Sequence, residues 1–94
     1  GVTRNAHRQE IAFVIMTVYS EKTGINAQSL LPGRYIYIGD EKDIDDICFK
    51  QVLMALDLGV MCLNPKGDFE PKKTVTRSEL AKSLAGILKL TGDL

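Results

Sequence analysis

Apolar side chains fall into three blocks, separated by polar stretches that carry most of the glycine and all of the proline. In the first block Ile11, Ala12, Phe13, Val14, Ile15, Met16, Val18 and Tyr19 cover more than one helical stripe. That pattern predicts a helix packed on at least two sides, starting near Asn5 or His7 and ending near Lys22, with Gly24 as its C-cap after Thr23. Its β-branched residues lower intrinsic helix propensity, so tertiary packing has to hold it. In the second block Phe49, Val52, Leu53 and Leu56 recur at three- and four-residue spacing, giving a helix over about 46–58 that stops at Gly59. In the third, Leu80, Leu84, Ile87 and Leu88 line one helical face, with Ala81 and Ala85 beside it and Gly92 as the stop.

The connections are legible too. Residues 25–34 form a loop with Pro32-Gly33 as a turn signal. Tyr35 to Ile38 favours a short strand or extended segment, in which Tyr35 and Tyr37 point the same way. Any of Asp43, Asp45 or Asp46 is placed to cap the second helix. Val60 to Leu63 is a short extended run, Asn64 to Gly67 a turn, and Phe69 returns to the core before Pro71. The third helix has the clearest start. Thr76 is its N-cap and Glu79, three residues on, completes a reciprocal capping box, with Val75 and Leu80 as the hydrophobic staple. The expected fold is mainly α: a small module of three main helices with short extended or β connecting segments.

Composition narrows the function more than the fold. The 94 residues suffice for one domain with one core. The longest apolar run, Ile11 to Met16, falls far short of the roughly 20 residues that span a bilayer. Twelve basic and twelve acidic side chains cancel, which argues against nucleic acid as a partner despite the helix-turn-helix flavour of residues 76–88. Charge is nevertheless polarised. Asp40, Glu41, Asp43, Asp45 and Asp46 outweigh Lys42, whereas Lys66, Lys72, Lys73, Arg77 and Lys82 outnumber the acids among them. The acidic cluster raises the question of calcium, but counting from Asp40 puts Asp45 and Gln51 where the EF-hand pattern requires glycine and glutamate. His7 has no histidine or cysteine partner, and no nucleophile, base and orienter converge in any motif, so an enzyme is not expected. Cys48 falls in the first turn of the second helix and Cys62 beyond its end, so the helix alone separates them by about 15 Å, against the roughly 7 Å a disulfide allows; both are expected to be buried free thiols.

One order of residues occurs twice. His7-Arg8-Gln9-Glu10-Ile11-Ala12 and Thr76-Arg77-Ser78-Glu79-Leu80-Ala81 share arginine, glutamate, a branched aliphatic residue and alanine, each at an expected helix start. The interval leaves room for one helix–loop–helix unit. Between them stand Gly59-Val60, then Gly67-Asp68-Phe69-Glu70-Pro71, then Thr76-Arg77-Ser78-Glu79.

That set resembles an S-layer homology repeat, over Asp40 to Leu90, with residues 7–24 similar to the closing helix of a preceding repeat. The family's early tryptophan falls near Ile47, and its motif threonine is His7 in the first copy. The resemblance implies a single module, in which 1–24 is a closing helix and 25–94 one repeat. It also implies a non-catalytic role without cofactors: anchoring a secreted protein at the cell wall or cell surface by binding an anionic secondary polysaccharide. By the same resemblance Arg77 is the candidate anion contact and Arg8 its weaker counterpart, since a guanidinium fork can grip a carboxylate bidentately. Lys72 and Lys73 would add attraction, while Thr76, Glu79, Glu10, Gly67, Phe69 and Pro71 would shape the motif. The alternative is a structural or protein-interaction module packing against adjoining domains of a larger secreted protein.

Overall fold

The computed structural model describes residues 6–26, 29 and 32–93. It contains α1 (Arg8–Thr23), a 3-10 turn at Glu41–Asp43, α2 (Asp46–Asp57) and α3 (Arg77–Leu90). The architecture is mainly α, as the periodicity predicts. The possible start at Asn5 and parts of the 25–34 loop lie outside the described residues. Gly24 closes α1 in the left-handed region, at φ 75°, and its N–H donates to the Ser20 carbonyl. No strand occurs among the described residues; the one isolated bridge joins His7 and Thr74 antiparallel. Residues 35–38 have no regular structure, yet their burial still alternates: Ile38 is buried, while Tyr35 and Tyr37 face solvent.

α1 packs against both α2 and α3, whose backbones stay apart from each other. That explains its two-sided hydrophobicity. Phe69, Ile15, Met16, Ile87 and Val52 are the largest fully buried side chains. Full burial of a side chain of this kind contributes about 1.5–3 kcal/mol. Gly86 lets α3 approach the other elements: a Cβ there would press on Val60 Cγ1 at 3.0 Å.

Between α2 and α3 the chain has no regular structure, yet it is tightly fixed. The Asp40 carboxylate accepts the backbone N–H groups of Phe69 and Glu70, both at 2.8 Å. Glu70 needs the help, because it sits at φ 58° immediately before Pro71, a region unfavourable for a side-chain-bearing residue. The Gly39 N–H donates to the Gly67 carbonyl at 2.8 Å, so residues 39–40 cradle the whole Gly67–Pro71 turn.

Candidate functional site

The start of α1 is sewn to that turn. The N–H groups of Arg8 and Gln9 donate to the carbonyls of Lys73 and Pro71, and the Val75 N–H donates to the Ala6 carbonyl. The first two of these bonds use donors that a helix's first turn leaves open. They bring Arg8 under the chain, where it is only 8% exposed. Its Nε donates to the Phe69 carbonyl and an Nη to the Cys62 carbonyl, each at 2.7 Å. Its other Nη meets the Glu79 carboxylate, and the guanidinium lies over the Phe69 ring, 4.6 Å from the centroid. Burial pushes the arginine's pKa down, opposed in part by the nearby charges of Glu70 and Asp40. An arginine nonetheless stays charged, so its partners are what make its burial tolerable. All of this engages Arg8 inside the protein.

Glu79 is thereby drawn away from the role expected of it. Thr76 Oγ1 accepts the Glu79 N–H at 3.1 Å, which is one arm of a capping box. The Glu79 carboxylate does not return that bond within α3; it pairs with Arg8. At α1 the returning arm is present, with the Glu10 carboxylate accepting the His7 N–H at 2.8 Å.

Beside the start of α3 lies a cavity of about 380 Å³. Lys73, Thr74, Thr76, Ser78, Glu79 and Lys82 supply its polar wall, while Val60, Met61, Cys62 and Ser83 form the rest. Two ammonium groups and four hydroxyls thus border a cavity whose one carboxylate is already matched by Arg8. Lys73 is largely exposed and only distantly paired, 4.0 Å from Glu70. Such a wall suits an anion that also offers hydroxyl groups.

Of the residues singled out by pattern, Lys73, Thr76 and Glu79 line this cavity and Arg77 does not. Arg77 is exposed and enters no hydrogen bond or ion pair with the described residues. With 3.6 residues per turn it shares its flank with Ala81 and Ala85, next to the flank carrying Ser78 and Lys82. Lys72 is held elsewhere, donating to Asp45 at 2.6 Å. It borders a second, more apolar cavity of about 680 Å³, lined also by Phe13, Val14 and Ile47. Gly67 holds φ 86° in the turn, and Phe69 and Pro71 are buried. Lys82 and Ser78 were not singled out by the pattern, although their i, i+4 spacing on the charged side of α3 is a usable signal.

Two further expectations need revision. Cys48 is buried, where desolvation pushes its thiol pKa up, but Cys62 is exposed, with its carbonyl accepting from Arg8. Asp45 is the N-cap residue of α2 without capping it through its side chain. Instead its carboxylate accepts from Lys72 and Gln9, which hold its pKa below the ordinary value. Among the described residues no three acidic, histidine or cysteine groups gather as a metal site, and no helix is long and apolar enough to cross a membrane.

A family model for the S-layer homology domain matches residues 40–81. The matched span runs from the Asp40 carboxylate that fixes the turn to the first turns of α3. Domains of this family are generally non-catalytic modules that anchor proteins at the cell wall. No curated protein and no solved structure matches the chain.

Proposed function

We propose that this module, whose residues 40–81 match the family model for the S-layer homology domain, holds its protein at the cell surface by binding an anionic cell-wall polysaccharide in the cavity beside α3. The observation that carries this reading is the pairing of Lys73 and Lys82 with the hydroxyls of Thr74, Thr76 and Ser78 around one opening. The lysines meet acidic groups of the polymer, and the hydroxyls exchange hydrogen bonds with its sugar hydroxyls. Arg8 acts from behind, keeping the Glu79 carboxylate neutralised so that it does not repel the ligand.

Co-sedimentation with purified acidic wall polysaccharide tests the reading. Replacing Lys73 and Lys82 together by alanine removes two charge-assisted contacts and should weaken retention about tenfold or more. Equal retention of the parent and doubly substituted proteins would dismiss the cavity.

A second reading, a module that packs against an adjoining one, is favoured by a separate observation. On the α3 flank carrying Arg77, Ala81 and Ala85 are exposed, whereas their counterparts in α1, Ala12 and Met16, are fully covered.

A further inference from the structure

The aromatic residues are three phenylalanines and three tyrosines, with no tryptophan. Phe69 is fully buried, and Phe13, Tyr19 and Phe49 are half-buried against the core. Tyr35 and Tyr37 stand in water instead, 76% and 73% exposed. One exposed apolar side chain is ordinary, but these two rings share a segment that is fastened along its length. The Asp57 carboxylate accepts the Gly33 N–H at 3.0 Å and the Arg34 Nε–H at 3.3 Å. Ile36 packs on the core and Ile38 enters it, which fixes the residues between and after the tyrosines. The Gly39 N–H, bonded to the Gly67 carbonyl, closes the far end. Neither phenol has a hydrogen-bond partner among the described residues. The rings are thus held out on a tethered backbone and covered by nothing.

We propose that Tyr35 and Tyr37 form a second, uncharged contact for a glycan chain, stacking on the C–H faces of its sugar rings while the Lys73–Lys82 cavity holds an acidic group of the same polymer. A tyrosine ring is a flat apolar face with a hydroxyl at its edge and few torsions to freeze. A pyranose is its complement: a C–H face bordered by hydroxyl groups. The neighbouring charge is already engaged, since Arg34 pairs with Asp57, so the platform selects for sugar faces rather than for acid. This rests on the polysaccharide reading above and adds the part of the polymer that the cavity does not take. The two places are tied to one end of α2. Asp57, which clamps the tyrosine segment, stands three residues before Val60 of the cavity wall, at most roughly 11 Å of chain. Because the segment is tethered before the ligand arrives, little ordering is left to oppose binding.

The test uses the 94-residue chain with purified acidic wall polysaccharide, and with the same polymer after its carboxyl groups are reduced to alcohols. Tyr35→Ala with Tyr37→Ala should weaken retention of the acidic polymer about tenfold. The melting temperature should hold, since the rings are exposed. Tyr35→Phe with Tyr37→Phe keeps both faces and should lose far less. The tyrosine effect should persist at about 1 M salt, where a Debye length of about 3 Å silences the lysines. The effect of Lys73→Ala with Lys82→Ala should be confined to low salt. With no tryptophan present, intrinsic emission comes from tyrosine, and the reduced polymer should still shield it from acrylamide quenching. If alanine at both tyrosines leaves retention unchanged while the lysine substitutions weaken it, the platform is overturned and the cavity reading stands. If the tyrosines decide retention and the lysines do not, the platform stands and the cavity reading is dismissed. Emission open to acrylamide in the presence of either polymer also overturns the platform.

Discussion

The starts of α1 and α3 share arginine, glutamate and alanine at the same places and have different fates. At α1 the glutamate bonds back to its own helix while the arginine is drawn across the fold into a turn built 61 residues later. At α3 the arginine stays in water and the glutamate crosses over, to reach the arginine of α1. Neither outcome follows from the local motif. What decides is whether a turn with free carbonyls lies within reach, and only α1 has one. A motif of this kind therefore encodes a connector with two ends, an arginine that points forward to a turn and a glutamate that receives the preceding arginine.

The contrast is broken most directly by removing each arginine in turn. Arg8→Ala strips a buried cation from Glu79 and from two carbonyls, and should cost about 3–4 kcal/mol. That is a large part of the stability of a domain this size. Arg77→Ala in the same chain should stay within about 0.5 kcal/mol, as for a surface substitution without partners. Equal costs in urea denaturation would mean that the two positions are not held differently. The glutamates should differ in the same sense. Glu79→Ala leaves Arg8 buried without its counter-charge and should cost about 2 kcal/mol, whereas Glu10→Ala loses one arm of a cap, about 0.5–1 kcal/mol. The smallest effect concerns acid sensitivity. Lys72 and Gln9 hold the Asp45 pKa below 3.8 in the folded state. Its contribution is therefore complete above that value and lost as pH falls through the lower folded one. An Asp45→Asn variant should show a shallower loss of melting temperature below about pH 4; an unchanged acid limb would mean that the Lys72–Asp45–Gln9 bonds contribute no stability.

Much of the fold was legible because helix periodicity and capping are local. The stop at Gly24, the Thr76 cap and the buried Phe69 follow from short-range rules. So did the two-sided burial of α1, since a stripe that wide cannot be served by one neighbour. The site was less legible, for a physical reason. Asp45 and Glu79 were expected to serve nearby backbone, and each instead satisfies a side chain brought close by the fold, while Asp40, for which the pattern named no partner, holds a distant turn. A side chain's sequence neighbours reveal its possible partners, not which of them wins when a buried cation competes. Tyr35 and Tyr37 illustrate the converse: alternation correctly put them on one side, but no partner strand exists among the described residues to make a sheet of it.

The clasp of Asp40 on the Phe69 and Glu70 amides has a consequence for how the molecule forms. A left-handed residue ahead of proline cannot hold its shape unaided, and its holder lies 29–30 residues earlier in the chain. The receiving turn for Arg8 thus exists only once two distant stretches have met, and α1 can dock only on the finished turn. Helices nucleating singly gain nothing from this arrangement, so the domain should appear and disappear in one all-or-none step, with no half-built species that retains an ordered α1.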